Sequence, residues 1–219
     1  MTDERFMNLY WKQFLMIEKE FRKSLQFISL AVDNLDSYSD FYAKILLQIG
    51  SEIDVVAKIL CKEINAGNVA ENIKDYSKEL LQAFPELEYV SVQCNDITVI
   101  PWKDWSVSTP TWWLVYNGVK HNRGMIKTYE GITKENYKFA SMKNIVSSLA
   151  GLYLLELYLY NQVIDANPHT DTPIPGSRLF KAIDYGWECK STYADTAYVI
   201  DTESGHLMYV QPHYIYSDL

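Results

Sequence analysis

Apolar side chains recur at Phe6, Tyr10, Phe14, Ile17, Phe21, Leu25, Ile28, Val32 and Leu35, at intervals of three and four residues. A second series of the same kind runs through Phe41, Ile45, Ile49, Ile53, Val56, Leu60 and Ile64. Only an α-helix gathers residues so spaced onto one face, so the series predict two long amphipathic helices, over residues 5–35 and 41–64. Asp36 to Ser39 supply capping-type residues between them, and Gly67 stands where the second would close. A join this short predicts an antiparallel hairpin of helices, the usual start of an up-down bundle.

The chain then changes period. A weaker helical pattern, 69–84, stops at Pro85. Tyr89, Val90, Val92, Ile97, Val99 and Ile100 are strand formers around an Asn95-Asp96 turn, which predicts a small β insertion within 86–108. Thr109 followed by Pro110 reads as an N-cap and first helical residue, opening a third helix that ends near Gly124. Thr133 can cap a fourth from about residue 134 to 164, with Tyr137, Ile145, Leu149, Leu152, Glu156, Tyr160 and Val163 facing inward. After Asn167-Pro168, Pro173, Pro175 and Gly176 read as a linker, and two strands, 196–202 and 206–210, flank a Glu203-Ser204-Gly205 turn. The expected organisation is a mainly α helical domain over 1–167, with the insertion, and a C-terminal β-containing appendage over 168–219.

Composition narrows the function classes. A chain of 219 residues that is 48% hydrophobic can bury a substantial core. Its formal net charge of -8 argues against generic attraction to nucleic acid or anionic lipid, so any anion site must be local. Cys61, Cys94 and Cys189 are odd in number and show no C-x-x-C spacing, which reads as reduced thiols in a cytoplasmic protein. No secretory leader is visible, and the most apolar run, 145–160, carries Ser147, Ser148, Gly151 and Glu156 and reads as a buried helix rather than a membrane span. Gly-rich phosphate loops, G-x-S-x-G and paired cysteines are missing, and His206 and His213 match no familiar metal spacing, so neither cofactor nor metal is expected.

One stretch, "WWLVYNGVKHNRG" at 112–124, concentrates chemistry. On a helix Trp113, Asn117 and His121 share a face, with Lys120 on its flank. Residues 119–138 hold five Lys or Arg against two Glu, an excess of three positive charges in an acidic chain. An imidazole exchanges protons near neutral pH, so His121 could take a proton from an RNA 2′-hydroxyl or return one to a leaving oxygen. Lys120, Arg123 and Lys127 could offset charge on a phosphate, and Asn117 could orient either partner. Tyr116, Trp113 and Glu52, the last if it faces the bundle, could support the group. The bland alternative is a Trp-rich core helix whose cations form a solvated face near its C-terminus.

Two long hairpin helices, a shorter helix carrying N-x-x-x-H ("NGVKH", 117–121) and a long fourth helix resemble the HEPN superfamily of all-α domains over roughly residues 5–165. The resemblance implies an HEPN-like antiparallel bundle, a homodimer with two motifs in one cleft, and metal-independent endoribonuclease chemistry of toxin–antitoxin, abortive-infection or other phage-defence systems. His121 matches the family's histidine and Asn117 its polar position. Tyr116 stands where the pattern has arginine, and Arg123 lies about 200° around the helix from His121. Two alternatives remain open: an inactive HEPN domain that binds nucleotide, RNA or a protein such as a cognate antitoxin, and a dimerising bundle whose acidic, tyrosine-rich tail docks a partner. That tail, 165–219, holds eight acids against three bases.

Overall fold

The structure is a computed structural model and describes residues 1–163, 172–183, 197–200 and 207–210. It is mainly helical with small sheets. A first helical run, α1 (Asp3–Phe6), a π-helical turn (Met7–Trp11) and α2 (Lys12–Ser24), continues without a break. The extra residue of the π turn changes the inward face: the Lys12 N–H bonds back five residues to the Met7 carbonyl, and Trp11 rather than Tyr10 enters the core. Phe6, Phe14, Ile17 and Phe21 complete that face, and Tyr10 is left half-buried.

The run stops at Ser24, eleven residues before the end of the predicted helix 5–35. The Ser24 hydroxyl donates to the Phe21 carbonyl, and the chain turns away, leaving Phe27 and Val32 exposed. The following loop is useful to the fold: the carbonyls of Leu35 and Ser37 accept from the first N–H groups of α6 (Met142–Val163), which would otherwise lack partners.

α3 (Asp40–Ile64) matches expectation at both ends, with the Ser39 hydroxyl accepting from the Tyr42 N–H at 3.1 Å. α4 (Ile73–Ala83) starts later than residue 69, where Asn72 caps two backbone N–H groups, and it ends before Pro85. In the insertion, β1 (Ser91–Cys94) and β2 (Ile97–Val99) pair antiparallel around Asn95, whose φ of 53° suits asparagine.

α5 (Thr111–His121) carries the motif, but Pro110 occupies its N-cap position and no side chain caps it, so Thr109 has no capping role. The predicted fourth helix also begins too early. Residues 126–135 form a hairpin, β3 (Ile126–Tyr129) and β4 (Ile132–Glu135), around Glu130 (φ 51°) and Gly131 (φ 79°), the backbone geometry of a two-residue primed turn. Thr133 therefore lies in a strand. A 3₁₀ turn (Asn136–Phe139) leads into α6, whose side chains are buried nearly all round as α3, α5 and the first run pack against it.

Part of the segment read as an appendage belongs to this body. β5 (Phe180–Ile183) pairs antiparallel with β1, giving a sheet of order β2-β1-β5. Ahead of it the Trp11 indole donates to the Pro175 carbonyl at 2.8 Å. The buried Glu18 carboxylate accepts from the N–H groups of Arg178 and Leu179, each at 3.1 Å, and from the Ser177 hydroxyl. β6 (Ala197–Ile200) and β7 (Leu207–Val210) form the expected antiparallel pair, while the 203–205 turn, Cys189, His206 and His213 lie outside the described residues. Among the described residues no helix is long and apolar enough to cross a membrane.

Candidate functional site

The two ends of α5 do different work. Its first turns are core: Trp102 stacks on Trp105 with centroids 4.0 Å apart and meets Trp112 edge-on at 5.0 Å, and Trp113 tilts against Tyr116. The indole N–H groups are satisfied, Trp112 by the Pro101 carbonyl at 2.8 Å and Trp102 by the Gly151 carbonyl at 3.2 Å. Tyr116 is buried with its ring in the space left by Gly50, where a Cβ would come within 2.3 Å of it.

Four of the sequence-derived residues line one open cleft of about 400 Å³ between α3, α4 and α5: Trp113, Tyr116, Asn117 and Lys120. Ser51, Asp54, Glu71 and Asn72 complete its polar wall. The cleft is mixed in charge, since Lys120, Asp54 and Glu71 all line it. Asp54 accepts from the Tyr76 hydroxyl at 3.0 Å, and burial followed by this bond raises the Tyr76 phenol. Lys120 donates to the Tyr116 hydroxyl at 3.2 Å and lies 5.3 Å from its ring centroid. Asn117 returns its amide to the Trp113 carbonyl of its own helix at 3.1 Å, so in this conformation it orients neither an imidazole nor a phosphate.

His121, Arg123 and Lys127 lie outside the cleft, exposed at the end of α5 and on the hairpin beyond it. Glu52 does not line the cleft either; its charge acts on Glu156 and Tyr10, on another face of α3. The sequence thus joined two groups that the fold separates, a cleft with Lys120 at its rim and a solvent-facing basic surface.

That surface has one member the sequence reading missed, Lys134. The β3–β4 hairpin is fixed to α5 by Asn136, which donates to the Asn122 carbonyl at 2.7 Å and accepts from the Tyr129 hydroxyl at 3.2 Å. Gly118 allows this approach, because a Cβ there would meet the Asn136 side chain at 2.7 Å. In the hairpin register Lys127 stands directly opposite Lys134, a like-charge pair that weakens a ribbon in the absence of a counter-anion. The Lys134 ammonium lies 4.6 Å from the Phe139 ring centroid. Nearby acids are already engaged, Glu135 with Lys138 at 2.7 Å and Glu130 with Lys143 at 2.6 Å. The Lys143 hydrogen bond holds the Glu130 carboxyl below its usual range. Lys120, Arg123, Lys127 and Lys134 have no ion pair among the described residues. The available signal was local: strand-forming residues on either side of Glu130-Gly131 announce a hairpin.

The thiols Cys61 and Cys94 are buried, and burial pushes both up to about 12, which suits packing rather than nucleophilic work. Among the described residues no group of three or more His, Cys, Asp or Glu is placed to hold a metal ion. Compared with protein-family models, curated proteins and solved structures, the chain matches none.

Proposed function

We propose that this is an HEPN-like, RNA-binding protein that engages the RNA backbone with the C-terminal end of α5 and the β3–β4 hairpin. The observation that carries this reading is the set of three cations with no ion pair among the described residues, Arg123, Lys127 and Lys134, which lie with the exposed His121 at the end of α5 and on the hairpin beyond it in a chain of net charge -8. An open surface with spaced cations suits an extended phosphodiester chain better than an enclosed mononucleotide. His121 then acts as the acid/base on a 2′-hydroxyl or leaving oxygen, and the neighbouring cations stabilise charge on the phosphate without a metal. A homodimer that brings two α5 ends together supplies the second set of cations.

A second reading, binding without cleavage, is favoured by two observations: Tyr116 is buried where the family pattern has arginine, and the Asn117 amide is spent on its own helix. One experiment separates the two. Single-stranded RNA is incubated in EDTA with the wild type and with His121→Ala, and both binding and cleavage are followed. Cleavage lost only in His121→Ala supports the nuclease, and binding without cleavage by either supports the second reading. An absence of RNA binding overturns both.

A further inference from the structure

The most unusual charge in the molecule lies away from the basic surface. Glu156, in the middle of α6, is 0% exposed, and neither carboxylate oxygen has a hydrogen-bond partner among the described residues. Buried polar groups are almost always partnered, because leaving water uncompensated is costly and far more so for a charge. Among the described residues no cation acts on Glu156 itself. From α3 comes a second carboxylate, half-buried Glu52, whose charge acts on Glu156. From the π-helical turn comes Tyr10, whose hydroxyl feels Glu156, Glu52 and Glu63, together with the exposed Arg5. α6 adds Tyr153 and Tyr160 at helical spacing from Glu156, each with interactions of its own. α2 adds Glu18, saturated by the 177–179 backbone and hydroxyl. On α5, Tyr116 and Lys120 bond to each other and line the cleft.

We propose that Glu156 and Glu52 form a proton-loaded carboxyl pair that keeps the first helical run docked on α3 and α6, and that loss of the proton loosens this docking at its N-terminal end. Two ionised carboxylates at low dielectric repel, and one proton removes the repulsion. Burial first, and the Glu52 charge second, hold Glu156 well above the ordinary carboxyl range, in keeping with this geometry. The π turn is the part that yields. Its extra residue leaves Tyr10 half-buried, with a hydroxyl on which the charges of both carboxyls act, and Phe6 is the neighbouring anchor, with its ring 5.3 Å from Tyr160.

For a carboxyl raised in the folded state, stability is fully present below the unfolded value, near 4.5, and is lost as pH rises towards the folded one. The test is thermal unfolding from pH 5 to pH 8.5 on wild type, Glu156→Gln and Glu52→Gln, with hydrogen-exchange protection factors for residues 3–11. The wild-type midpoint is expected to fall with pH, and protection of residues 3–11 to drop before that of α3. Glu156→Gln should remove most of this dependence, and Glu52→Gln part of it. Should Glu156→Gln fail to fold, the half-buried Glu52→Gln carries the test alone. Equal pH dependence in all chains overturns the proposal. So does a midpoint raised by Mg2+, Ca2+ or Mn2+ in the wild type but not in the variants, which assigns the pair to a cation instead.

Discussion

Glu18 and Glu156 are both buried carboxylates, yet the chain treats them oppositely. Glu18 is surrounded by donors: two backbone N–H groups and a hydroxyl from 177–179 converge on it, so its charge fastens a distant segment to α2. Glu156 has no hydrogen-bond partner among the described residues, and the charge that acts on it is that of another acid, Glu52. The same contrast recurs on the surface, where Glu130 and Glu135 are paired with lysines while Lys127 and Lys134 face each other. Charge that is partnered holds this fold together. Charge left bare, inside or outside, is a place where something else, a proton or a ligand, is expected to complete the set.

Breaking the partnered member should have the largest effect. Glu18→Ala leaves two donors without this acceptor, the Ser177 hydroxyl and the Arg178 N–H, while the Leu179 N–H keeps its bond to the Ser177 hydroxyl, and hydrogen bonds to a charged group contribute about 1.5–3 kcal/mol each. A stability loss on the order of 3 kcal/mol is expected in urea denaturation, with early proteolysis in 172–183; an unchanged midpoint would mean that β5 holds the segment unaided. Glu156→Gln should move the other way. At pH 8 it should stabilise the fold, with the gain over wild type growing by no more than about 1.4 kcal/mol per pH unit above the unfolded carboxyl value and vanishing near pH 4. On the surface the effects shrink. Lys127→Ala removes the like-charge pair and should stabilise the hairpin by about 0.2–1 kcal/mol while weakening RNA binding. Glu130→Gln, which breaks an exposed pair with Lys143, should cost at most about 1 kcal/mol, and less in high salt.

Much of this architecture was legible where local chemistry and period agree. Ser39 with the 41–64 series defines α3, and the apolar 145–160 run defines the centre of α6, with Glu156 already on its inner stripe. Errors arose where two readings of one period compete. Neighbouring Tyr10 and Trp11 are both aromatic, so periodicity alone could not reveal that a π turn puts the second inside. The stripe continues past Ser24 in sequence although the chain does not continue as a helix. Thr133 is a good cap residue and also a good strand residue, and the Glu130-Gly131 turn decides for the strand. The pairing of β5 with β1 joins residues far apart in sequence, and no local pattern encodes it. In the candidate site, residue types were readable but grouping was not: Gly118 and Asn136 place the hairpin against α5, while Glu52 lies outside the cleft and its charge acts on Glu156.

The claim that bare cations await a polyanion is tested most directly by the salt dependence of binding to a single-stranded RNA oligonucleotide, comparing the wild type with Lys127→Ala/Lys134→Ala. Each phosphate contact on a single strand contributes about 0.7 to the slope of log K against log salt. The account predicts a slope shallower by roughly 1.4 in the double variant, with weaker affinity at low salt and an unimpaired thermal midpoint. An identical slope and affinity in the two proteins would contradict it.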